Sequence, residues 1–233
     1  MKSYFSFFLK NFLRSHRYLR EIVLILIFHI FFWGFLYSDK PEDAVWTVFG
    51  VLGLLLSMVT VPSVFYLEKK NSLYFVLVRP KGRFNFFCSK LFLIFLIDFS
   101  AVVFFAAWYG IRFLDEYYLA FLAPRLGLIA ILLIISILIL SLSFSYKPWI
   151  AWLLILLIIF GGIINKSVLF PINSITESYK LFTFILPPFL EIIYAAVTLD
   201  FPFWRLIFLG IALIQISVYF ILNHRLIQKK DFT

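Results

Sequence analysis

Residues 126–145 read LGLIAILLIISILILSLSFS: twenty positions without a charge, in which four serines are the only hydrogen-bonding side chains. Twenty residues of α-helix are about 30 Å long, the thickness of a bilayer's hydrocarbon core. Pro124 stands just ahead of the run, a position proline favours at a helix start, so a span is expected from Pro124 to about Ser145. The rest of the chain has the same character. Apolar residues make up 64% of it and charged residues 14%, and the charges fall between apolar runs rather than within them. A soluble fold so rich in Phe, Ile and Leu would have too little polar surface to stay dispersed.

Working outward, further spans are expected at residues 21–38, 44–67, 91–111, 148–164 and 203–222, six in all. Pro41 breaks the chain in a short acidic loop with Asp39, Glu42 and Asp43, Arg112, Asp115 and Glu116 form another loop, and Tyr146-Lys147-Pro148 makes a tight turn. Residues 165–202 are harder. Leu181 to Thr198 is apolar enough for a seventh crossing, but Pro187-Pro188 interrupts it, so short re-entrant or surface helices packed against protein are expected before span six. Residues 1–20 alternate aromatics with bases, and Phe5, Phe8, Leu9 and Phe12 share a helical face. That pattern predicts an amphipathic interfacial helix with its rings in the acyl boundary. The fold class is therefore all-α integral membrane, one transmembrane domain over residues 1–233 with a basic tail at 223–233.

The formal charge of +9 does not point to nucleic acid, because the bases sit at the ends of apolar runs. Lipid headgroups and the positive-inside bias account for it. The segments expected on the cytosolic side carry fifteen Lys and Arg, and those expected outside carry six. Both termini are thus expected in the cytoplasm. Cys88 is the one cysteine, so no intramolecular disulfide forms. The basic lead has no small-residue cleavage pattern of a signal peptide.

The polar segment 68–90 reads EKKNSLYFVLVRPKGRFNFFCSK. An acid opens a connector, Pro80 stops it, and a basic-aromatic stretch leads into the third span. Such an element suits docking on a soluble partner, or else is an interfacial loop with snorkelling bases. The pattern resembles the permease subunits of ABC-2 type ATP-binding-cassette exporters: Glu68, Leu73, Arg79, Pro80, Arg83 and Lys90 stand at the family's spacing. Asn71-Ser72 and Ser89 depart from its Gly-Thr and Gly positions. The resemblance implies a bacterial inner-membrane protein with a cytosolic coupling helix between spans two and three. Glu68, Arg79, Pro80, Arg83, Phe84, Phe87 and Lys90 would then form the contact with the ATPase. It further implies two ATPase copies and a second permease, identical or paralogous, as partners, with ATP and Mg held by the ATPase.

The chain itself has no phosphate-cradling Gly-rich loop and none of the common hydrolase or metalloprotease motifs, so no catalytic residue and no cofactor is expected in it. Asp98, two turns into the third span, is either a functional intramembrane acid or one satisfied by neighbouring hydroxyls, His29 or a base. His29 is expected to pack rather than to bind metal, since no other ligand stands at metal spacing. The four serines of residues 126–145 allow close helix packing. Abundant Phe suits lipid-like, amphiphilic or polymer cargo. The rival readings are an ion-coupled carrier built on Asp98 and His29, and an integral membrane enzyme.

Overall fold

The computed structural model describes residues 2–37, 43–66, 80–113, 116–166, 180 and 183–229. Helix α1 (Lys2–Arg14) turns at Ser15–Arg17 into α2 (Tyr18–Phe31) and the one-turn α3 (Trp33–Leu36). Then come α4 (Val45–Phe65), α5 (Pro80–Gly110), α6 (Glu116–Ser145), α7 (Ala151–Ile163), α8 (Phe189–Thr198) and α9 (Phe203–Lys229). Short 3-10 turns follow α5 and precede α7.

Among the described residues, four helical segments are long and apolar enough to cross a membrane: α4, Gly82–Gly110 of α5, Leu122–Ser145 of α6, and α9. The expected spans at 21–38 and 148–164 appear as shorter helices. α2 has 14 residues and is offset at Phe32 before α3, and α7 has 13. Thirteen residues of helix span only about 20 Å.

The molecule is apolar on its surface as well as in its core. α4 and α6 form the centre, with Leu52, Leu56, Leu132, Leu133 and Ile139 fully buried. Large apolar side chains face outward on the surrounding helices: Ile30 and Phe31 on α2, Phe104 and Trp108 on α5, Trp152 and Leu153 on α7, and Ile214 on α9. Water would not tolerate so continuous an apolar surface. Polar side chains turn inward. Ser57, Ser136, Ser141 and Ser143 are buried and donate to carbonyls three residues back in their own helices. Between α6 and α9, Asn223 donates to Leu138 O and accepts from the Ser145 hydroxyl.

Contacts sort into two ends. At one, Arg17 donates to Ser63 O and Arg83 to Gln228 O. At the other, Arg112 donates to Leu36 O, and Arg125 bonds Asp43 at 2.7 Å and Val197 O at 3.4 Å.

Three local expectations change. The ring face of α1 packs on protein rather than lipid: Phe8 and Phe12 are buried, and Phe8 meets Phe86 edge-on at 5.0 Å. An aromatic face that would suit acyl chains equally suits the apolar flank of α5. Pro124 lies inside α6, which starts at Glu116; in an apolar setting, neighbouring groups compensate a missing backbone donor. The segment from Pro80 to Lys90 is also no separate helix, because it continues without a break into the third expected span as α5.

The proline pair acts as expected. Pro187-Pro188 ends the preceding segment, and α8 starts at Phe189 and runs ten residues, too short to cross. It packs on α4, α6 and α7. Its close approach requires glycine at Gly161, where an added Cβ would lie 2.7 Å from Pro187 O. The remainder of the expected outer segment, residues 167–179 and 181–182, is outside the described residues.

Candidate functional site

The basic-aromatic start of α5 divides between two faces. Glu68 and Arg79 lie outside the described residues, and Pro80 opens the helix. Arg83 and Phe84 turn toward α9: Arg83 donates to Gln228 O at 2.8 Å, and the Phe84 ring meets His224 at 4.6 Å. Phe87 and Lys90 turn toward α4 and are fully buried. The Lys90 ammonium donates to Val64 O and Phe65 O, each at 3.1 Å, in the last turn of α4, the negative end of its dipole. Rings of Phe86 and Phe8 stand 4.7 and 5.2 Å from the same nitrogen. Lys90 and Phe87, which the resemblance implies as partner contacts, are packed within this chain.

Asp98 and His29 are not brought together. His29 pairs with Tyr37 Oη at 3.2 Å and stands edge-on to Trp33, in an aromatic group that Trp108 joins by donating to Tyr37 Oη. Asp98 is fully buried, and neither carboxyl oxygen has a hydrogen-bond partner among the described residues. Its companion is a residue the sequence reading passed over. Glu21 on α2, only 3% exposed, acts on Asp98 electrostatically, and its oxygens are likewise unpartnered. From α4, Thr60 turns toward Asp98 and Ser63 toward Glu21 without closing a hydrogen bond. Glu21 lies beside Arg17 and Arg20 in sequence, so it reads as a headgroup-level acid. Nothing in a linear pattern marks it as buried.

At the opposite end Lys166 and Glu191 form a buried pair. The Lys166 ammonium lies 3.4 Å from Glu191 Oε2 and donates to Pro187 O at 2.9 Å, while its backbone N–H donates to Glu191 Oε1. Burial lowers the Lys166 ammonium below its ordinary 10.5, and the Glu191 carboxylate partly opposes that. Neither residue was singled out from sequence.

An apolar groove of about 330 Å³ opens between α5, α6 and α9, lined by Leu91, Phe95, Ile137, Leu138, Ile216 and Phe220. Among the described residues no three His, Cys, Asp or Glu side chains gather in a metal-binding group.

Apolar faces turned outward, hydroxyls turned inward and four bilayer-length helices define an all-helical, multi-pass membrane protein. No protein-family model matches the chain, and no curated protein matches its sequence.

Proposed function

We propose that this chain is the permease subunit of an ABC-2 type ATP-binding-cassette exporter: a non-catalytic, single transmembrane domain moved by a separate ATPase. The observation that carries the reading is the unbroken helix from Pro80 to Gly110. Its 31 residues extend for about 46 Å, well beyond a hydrocarbon core of about 30 Å. In this reading its first turns project at the end where Arg17 and Arg83 lie, and a push there is transmitted rigidly along the helix. This segment also carries the resemblance at Pro80, Arg83 and Lys90, with Glu68 and Arg79 just ahead of it.

In this reading the projecting end faces the cytoplasm of a bacterium's inner membrane, as do both termini. Two ATPase copies, binding ATP and Mg, engage it beneath a pair of permeases, identical or paralogous. Arg83 and Phe84 remain the coupling residues on this chain, and Lys90 and Phe87 anchor the lever to α4. Six crossings follow if α2 with α3, and α7 with its leading turn, also pass through. For α2 with α3, support comes from the ends, since Arg17 bonds α4 at one pole and Leu36 accepts from Arg112 at the other. The apolar groove suits lipid-like or amphiphilic cargo.

The test is reconstitution with the ATPase subunit. ATP hydrolysis in the complex is expected to collapse on Arg83→Glu, with the permease still folded by its melting curve. Transport by this chain alone on a proton gradient would refute the reading and favour an ion-coupled carrier. So would labelling that places residues 80–84 on the exterior face.

A further inference from the structure

We propose that Glu21 and Asp98, with the hydroxyls of Thr60 and Ser63, form a site for one monovalent cation, a proton or a sodium ion, enclosed between α2, α4 and α5. Both carboxyls are buried, and none of their four oxygens has a partner among the described residues. Two buried carboxylates that act on each other are costly unless a positive charge accompanies them.

Among the described residues, no base supplies that charge in direct contact. Arg17 donates to Ser63 O and, like Arg20, acts on Glu21 without an ion pair. Lys90 lies eight residues before Asp98 on α5, about 12 Å along the axis, and donates to Val64 O and Phe65 O. α4 contributes no titratable side chain to the site.

The hydroxyls are the second, independent sign. Buried Ser57, Ser136, Ser141 and Ser143 all bond back to their own helices. Thr60 and Ser63 do not, although both are buried on one face of the same helix as Ser57. Their oxygens turn toward the carboxyls instead. Carboxylate and hydroxyl oxygens are hard donors suited to a hard cation. Arg17 and Arg20 act on Glu21, and the proposed site is completed by one monovalent ion shared with Asp98. The site is independent of the ATPase reading, since a bound charge here fixes the packing of α2 on α4 and α5 in any membrane protein.

The experiment is an infrared titration of the purified full-length protein in lipid nanodiscs. Sodium chloride is compared with choline chloride at equal ionic strength, and pH is varied between about 5 and 8. Melting curves of wild type, Asp98→Asn and Glu21→Gln accompany it. If the ion is a proton, a protonated-carboxyl band titrates away and the melting temperature falls as pH rises, regardless of sodium. If it is sodium, carboxylate bands shift and the melting temperature rises by several degrees with sodium but not choline. Either response is expected to be lost in both variants. Should a variant fail to fold, the wild-type bands decide by themselves. Carboxyl bands indifferent to both ions, or a dependence that persists in both folded variants, would overturn the site.

Discussion

Replacing Glu191 with glutamine removes the carboxylate charge beside a lysine that has no water to turn to. The Lys166 and Glu191 side chains are 1% and 2% exposed, and nitrogen and oxygen stand 3.4 Å apart. With an effective dielectric constant of about 20, that separation corresponds to an attraction of about 5 kcal/mol. Glutamine preserves the shape and can still accept from the Lys166 N–H, so the loss is electrostatic rather than a cavity. Removing one member of a buried pair typically costs about 3–5 kcal/mol, and that is the expected destabilisation for Glu191→Gln. Lys166→Met should lose a similar amount by stranding the carboxylate. The double variant should cost less than either single one, because no uncompensated charge remains. Denaturant titration in mixed micelles, followed by circular dichroism, measures the cycle. The reasoning is refuted if Glu191→Gln lies within about 0.5 kcal/mol of wild type, or if the two single losses simply add.

Gly161→Ala is expected to cost about 1–3 kcal/mol, since the new Cβ would press on backbone Pro187 O at 2.7 Å. Gly162→Ala, whose Cβ would meet only Leu54 Cδ1 at 3.7 Å, should be tolerated, and paired melting curves compare the two. Lys90→Met should destabilise by about 2 kcal/mol by removing both charge-assisted hydrogen bonds to Val64 O and Phe65 O; unchanged thermal stability would show that the ammonium does not hold that helix end. For pH, the folded chain releases the Lys166 proton below the ordinary value of 10.5 that the unfolded chain keeps. The unfolded form therefore binds more protons in the window just below 10.5, and this residue's contribution to stability rises with pH through that window. Melting curves of wild type against Lys166→Met in alkaline buffers should show the slope only in wild type.

Much of the fold follows from local pattern. Uncharged runs such as residues 126–145 place the long helices, and the apolar-basic alternation of residues 2–14 places α1. Pro187-Pro188 correctly divides a stretch that hydropathy alone would read as another crossing. Boundaries were less legible: Pro124 sits within α6 rather than at its start, and the connector from Pro80 merges into α5. Once a proline's lost hydrogen bond is compensated by neighbours, it no longer marks a helix end.

By itself, the sequence determined that the chain is helical and made for a membrane, because length and polarity against a bilayer are local properties. Only tertiary structure decided which face of each helix meets a neighbour. α4, α5, α6 and α9 are apolar nearly all round, since lipid and protein core are equally apolar, so no stripe identifies the packed side. Through that packing Lys90 becomes a clamp on the end of α4, Glu21 and Asp98 are both buried, and Lys166 meets Glu191. Each of these partnerships spans at least 25 residues of chain. None of them exists until the helices are assembled.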